Sequence, residues 1–136
     1  MKGVLLLSVL TTFGLGTIAA VAADPKAASG ADYPGKNTPE AAVYRGSIVF
    51  THYCVLCHGV TGDGTGRAAK LYNPKPANLI QSDKNDQYKE LIIRRGGKSM
   101  GRSAAMPAWG EELTDEQIVD VVAFLRSIHS PNAPVK

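Results

Sequence analysis

Cys54-Val55-Leu56-Cys57-His58 is the stretch on which the rest of the chain depends. Two thiols at this spacing can add across the two vinyl groups of one porphyrin, each S–H becoming a thioether. The residue after the second cysteine is then carried beneath the ring, where an imidazole nitrogen reaches the iron. This is the C-x-x-C-H pattern of covalent c-type haem attachment. Cys54 and Cys57 are the only cysteines in the chain, so nothing competes for them. A zinc site would need a further cysteine or histidine pair, and His52 and His129 are isolated in the sequence. A thioredoxin-like dithiol would need a βαβ context, which the flanks do not offer.

Immediately upstream, Thr38 has the character of an N-cap, Pro39 of a first helical position and Glu40 of a first-turn acid. Ala42, Gly46, Val49, Phe50 and Tyr53 recur at helical spacing, which predicts a helix over Pro39–Tyr53 running straight into the haem motif. A glycine inside a helix costs about 1 kcal/mol relative to alanine. Gly46 lies on the apolar face, so close approach of another helix is the expected compensation. Residues 24–37, rich in Ala, Gly, Pro and Lys, read as a flexible lead-in. Before them, Lys2, an apolar run and small residues at Val21-Ala22-Ala23 read as a cleavable export signal over 1–23. If retained, the same stretch is long enough to anchor the protein in a membrane. Either way the domain is expected outside the cytoplasm, in the periplasm, where this attachment chemistry takes place.

The chain carries 15 bases and 12 acids. Lys2 is the one charged residue of the signal, which leaves 14 bases and a net charge of +2. Two haem propionates bring that close to zero, so charge predicts no nucleic-acid partner.

Downstream, residues 59–66 form a glycine-rich loop without the Gly-Lys-Ser/Thr ending of a phosphate cradle. Its glycines are expected to let the backbone turn on the histidine side of the haem. Arg67–Leu71 is expected to form a helical turn. Asn73-Pro74-Lys75-Pro76 is held extended by its prolines. A carbonyl fixed by Pro74 or Pro76 is a candidate acceptor for the Nδ1–H of His58. Asp86–Arg95 reads as a helix capped by Asp86, with Tyr88, Leu91 and Ile92 inward and Gly96 as the left-handed stop. Met100 and Met106 are both candidates for a second iron ligand. Met106 precedes Pro107, so its backbone is held extended, whereas Met100 lies in a more flexible stretch. Thr114 and Gln117 form a capping box, with Leu113 and Ile118 as a hydrophobic staple. Ile118, Val121, Val122, Leu125 and Ile128 make the apolar stripe of a last helix that Pro131 ends, and Phe124 is expected to meet the first helix near Gly46. No stretch alternates as a strand would. The expected fold is all-α, about three helices and loops wrapped around one haem over 38–130, with a tail at 131–136.

The order of these parts resembles the class I cytochromes c of the bacterial, exported, single-haem kind. The resemblance rests on Gly46 and Phe50 before the Cys54–Gly59 motif, on Gly62-Asp63-Gly64, on Pro74-x-Pro76, on Met106-Pro107-Ala108-Trp109, and on the last helix. It implies thioethers at Cys54 and Cys57, His58 as proximal and Met106 as distal iron ligand, and first and last helices crossing near Gly46 and Phe124. Trp109 stands where many relatives have phenylalanine. With both axial positions filled, the implied role is outer-sphere transfer of single electrons between redox partners, by a carrier and not an enzyme. The alternatives are a cytochrome subunit of a larger oxidoreductase, and a haem sensor or peroxidase-like enzyme with an open distal site. Nine bases between Arg67 and Arg102 face only three acids, so an acidic redox partner is expected.

Overall fold

Thr38 begins the first helix as its hydroxyl predicts. In the computed structural model, which describes residues 35–132, its Oγ1 accepts from the Ala41 N–H at 3.2 Å and Pro39 follows at the first position. Helix α1 then spans Pro39–Tyr53, the predicted bounds. Cys54 interrupts it, and the haem motif is a separate short helix, α2 (Val55–His58). The glycine loop laces over α2: Gly64 N–H donates to the His58 carbonyl at 2.8 Å, and Gly66 N–H to that of Cys57 at 3.2 Å. A 3₁₀ turn at Ala69–Leu71 fulfils part of the turn expected from Arg67.

Helix α3 (Asp86–Ser99) is broken at Gly96, whose φ is 76°, where the left-handed stop was expected. Its cap is Asn85 and not Asp86: the Asn85 side chain accepts from Tyr88 N–H at 2.9 Å. Asp86 is instead the first helical residue, and its carboxylate pairs with Arg126 at 3.2 Å. Helix α4 (Asp115–Ser127) starts with the reciprocal Thr114–Gln117 capping box. Leu113 and Ile118, the staple pair, are both buried. No strand occurs among the described residues, and the fold is all-α.

The core is Val49 and Phe50 from α1, Ile93 from α3, Leu113, and Ile118, Val121, Val122 and Leu125 from α4. Full burial of side chains of this size stabilises by about 1.5–3 kcal/mol each. Helix α4 is the central element, packing against α1 on one side and α3 on the other. At the α1–α4 crossing, Gly46 lies against the backbone of Asp120 and Val121, so close that a Cβ would overlap the Asp120 carbonyl. Phe124 meets α1 close to Gly46, as expected: its ring packs on Phe50, one turn along the helix, at a centroid distance of 5.1 Å. Beside the crossing, Arg45 holds the buried Asp120 carboxylate through two hydrogen bonds, 2.6 and 2.9 Å. The carboxylate raises the Arg45 pKa still further. The expected signal segment, most of the lead-in and the end of the tail lie outside the described residues.

Candidate cofactor site

Helix α2 and the segments facing it enclose a cavity of about 940 Å³. That is near the upper end of the usual range for small-molecule sites. Cys54, Cys57 and His58 form one wall. Residues 74–79 continue it, Tyr88, Lys89 and Ile92 of α3 close one side, and residues 101–109 form the opposite strap.

The His58 ring is oriented from behind. Its Nδ1–H donates to a backbone carbonyl at 3.0 Å, which fixes the tautomer and leaves Nε2 with a free lone pair. The acceptor is Ala77, the residue after Pro76, and not a carbonyl of either proline. Burial lowers the His58 pKa, against the smaller opposing effect of the Ala77 hydrogen bond, so the ring is held neutral and able to ligate. Burial, with a smaller contribution from Cys57, pushes the Cys54 thiol up to about 12.

Of the two candidate methionines, Met106 lines the cavity and Met100 does not. The Met106 segment is stitched to the end of α3. The Met106 carbonyl accepts from Gly97 N–H at 2.9 Å, and Trp109 N–H donates to the Ile93 carbonyl at 2.9 Å. Trp109 stands edge-on to Tyr53, with ring centroids 5.3 Å apart. His52 and His129 are both exposed and outside the cavity.

The residues fit a haem. One imidazole and one thioether line a single cavity with two thiols, and these are the donors that iron porphyrin accepts. Leu79, Ile92, Pro107 and Trp109 offer apolar surface to a flat macrocycle, and Lys75, Lys84 and Arg102 offer charge to its carboxylates. No cluster of three or more metal-binding side chains occurs among the described residues, so the donors do not compose a zinc site.

The family described as cytochrome C oxidase, cbb3-type, subunit III matches residues 41–125, from the first turn of α1 to the last turn of α4. The chain belongs to this cytochrome c family. It is a class I c-type cytochrome, and its cofactor is covalently bound haem c with its iron. Two relatives are cytochrome c subunits of quinone alcohol dehydrogenases, from Gluconobacter oxydans (strain 621H) and Komagataeibacter europaeus. Each is 30% identical over 94 residues, 65% of this chain and 19% of the subunit. This cytochrome therefore spans about a fifth of the length of those relatives. Cytochrome c-555 of Methylococcus capsulatus (strain ATCC 33009 / NCIMB 11132 / Bath) is 25% identical over 96 residues, 70% of this chain and 69% of that protein.

Sequence reasoning missed two parts of the site in this cytochrome. Ala77 accepts through its backbone, which no side chain announces. Lys89 lines the cavity and is only 8% exposed. Its position was legible, because Lys89, Ile92, Ile93 and Gly96 share one helical face, but a lysine is read as a solvated residue by default.

Proposed function

We propose that this cytochrome passes single electrons between redox proteins outside the cytoplasm, with Cys54 and Cys57 tethering the haem and His58 and Met106 as its axial ligands. The supporting observation is that the tethering wall and the Met106 strap face one cavity, with the His58 ring already oriented by Ala77. When bound, haem c supplies a one-electron Fe(II)/Fe(III) couple. The two cysteines fix its position, His58 presents Nε2 from α2, and Met106 approaches from a strap that Pro107 keeps extended. A thioether ligand and an apolar lining both favour the reduced state. With His58 and Met106 both holding the iron, no coordination position would remain for oxygen or substrate, and the protein would act as a carrier and not an enzyme. Export is supported by the covalent haem and by the N-terminal sequence. No helix among the described residues is long and apolar enough to cross a membrane.

The visible spectrum tests the ligand set. The native protein should be low-spin, with a weak far-red sulfur-to-iron band that disappears in Met106→Ala. A high-spin native spectrum, or a band that the substitution leaves alone, removes Met106 from the iron. Carbon monoxide binding to the native ferrous protein at neutral pH would then favour a sensor or enzyme.

A second reading, a subunit of a larger oxidoreductase, is supported by the dehydrogenase subunits among the relatives. Co-purification with a dehydrogenase or oxidase separates it from a free shuttle. In either role an acidic partner is favoured. Lys75, Lys84 and Arg102 line the cavity toward solvent, with Asp83 as the one acidic residue on that lining. Lys84 lies 2.7 Å from Asp83 and is the chief cause of its lowered pKa. Electron transfer to an acidic partner should slow about tenfold or more between 10 and 150 mM salt, taking roughly the low end of the range for electrostatic steering. A rate indifferent to salt rules out steering by this rim.

A further inference from the structure

Two charged side chains among the described residues are more than nine-tenths buried, Asp120 at 4% exposure and Lys89 at 8%. Asp120 is held by Arg45. The Lys89 ammonium has neither a hydrogen-bond acceptor nor an ion-pair partner among the described residues. The stem of Lys89 is buried, but no buried side-chain nitrogen among the described residues lacks a partner, so its ammonium tip opens into the cavity. Once an occupant closes that opening, an anion or several acceptors must offset the desolvation of the ammonium. Lys89 lies in the first turns of α3, and it lines the cavity together with Tyr88 and Ile92. The chain supplies no counter-charge there. Asp83 is the one carboxylate on the lining, it is exposed, and it pairs with Lys84. Asp86, three residues before Lys89, pairs with Arg126.

The anion must therefore come with the occupant. Haem carries its negative charge on two propionates, and the rest of its periphery is apolar. We propose that Lys89 binds a haem propionate from inside the cavity, as an ion pair shielded from bulk solvent. This rests on the haem reading above and adds a residue that neither the attachment motif nor the axial ligands require. It gives Lys89 two roles. It fixes the rotation of the propionate edge relative to α3, and it neutralises a negative charge close to the iron. A neutralised propionate favours Fe(II), so the pair raises the reduction potential. Arg102 is exposed and Lys84 is two-fifths exposed, so salt screens them where it does not screen Lys89.

The test is potentiometry on the haem-loaded protein, native and as Lys89→Met, Lys89→Gln and Lys89→Arg, with exposed Lys98→Met as control. Lys89→Met should lower the ratio of reduced to oxidised protein at a fixed solution potential by about tenfold, about 59 mV for one electron. Lys89→Arg should restore it, and Lys98→Met should leave it unchanged. The difference should persist at 1 M salt, and the propionate bending mode in resonance Raman should move with the methionine variant alone. Equal potentials in the native, methionine and arginine proteins overturn the proposal. So does a potential that falls only together with loss of the far-red sulfur-to-iron band, which would make Lys89 a packing residue behind the strap. If Lys89→Met does not fold, Gln against Arg decides, and equal potentials again overturn it. Failure of the haem reading itself is visible beforehand, as a native protein without the His/Met spectrum.

Discussion

Gly46→Ala should be the most destabilising single-methyl addition in this cytochrome. The new Cβ would overlap the Asp120 carbonyl oxygen and crowd the Val121 nitrogen, and both obstacles are backbone. Backbone cannot rotate away as a flexible side chain does, so α1 and α4 must separate or slide. Sliding is opposed next door by the two hydrogen bonds from Arg45 to the buried Asp120 carboxylate. Separation opens the interior around Phe50, Ile118 and Val121, all almost completely buried. Overpacking commonly costs about 1–3 kcal/mol, and a backbone clash at a helix crossing belongs at or above the upper end. A loss of about 3 kcal/mol corresponds to a fall in Tm on the order of 15 °C for a domain of this size. Helix propensity works in the opposite direction, since alanine is favoured over glycine by about 1 kcal/mol, so any net loss measures the crossing. Gly35→Ala is the control, since its Cβ would meet only the Thr38 methyl at 3.6 Å. Thermal melts of the haem-loaded proteins read the difference. Equal melting temperatures would mean that the crossing has slack.

On the proposed His58/Met106 ligation, Gly97→Ala should detach the Met106 sulfur while leaving the haem covalently bound. Gly97 is buried under the strap: its N–H donates to the Met106 carbonyl at 2.9 Å and its carbonyl accepts from Arg102 N–H at 2.8 Å. A Cβ there would overlap the Ser103 carbonyl and sit 3.1 Å from the Met106 Cβ. The strap has to lift, and it is the element that carries Met106 toward the cavity. The attachment wall is untouched, because Cys54 and Cys57 reach the cavity from α2 and its cap. The expected phenotype is a weakened or absent far-red sulfur-to-iron band, with added imidazole displacing the sulfur at a concentration at least about tenfold lower. Tenfold corresponds to about 1.4 kcal/mol, within the usual overpacking range. Haem should remain with the polypeptide on a denaturing gel. Native imidazole affinity with an intact band would show that the strap accommodates the methyl group, and would disconnect Gly97 from ligation.

The parts of this fold that were legible in the sequence are those fixed by local chemistry. Thr38 and Pro39 set the start of α1, and Thr114 with Gln117 set the start of α4, because caps act over three residues. The attachment motif is five consecutive residues, and the Met106–Pro107 pair carries its own backbone restriction. What stayed hidden depends on residues distant in the chain. Gly46 announced a close approach, but only the crossing shows that the backbone at Asp120 fills it. Arg45 and Asp120 are 75 positions apart, and each alone reads as a surface charge. The Ala77 carbonyl has no side-chain signature. Asn85 and Asp86 are both good caps, and the choice fell to Asn85 because Asp86 is engaged with Arg126. Ile93, buried in the core, was passed over for its neighbour Ile92, which faces the cavity.

Helix α4 supplies no atom to the cavity lining, yet both walls depend on it. On one side it locks to α1, which leads directly into the tethering cysteines. On the other it packs against α3, and Arg94 with Asp115 and Arg126 with Asp86 fasten the two helices near both ends. The gap between the imidazole and the thioether is thus gauged by a stiff beam behind the pocket and not by the loops in front of it. If His58 and Met106 hold the iron as proposed, a clamp of that kind would keep its bond lengths almost constant when its charge changes. The reorganisation energy would then be small, and the electron would hop quickly across a modest difference in potential.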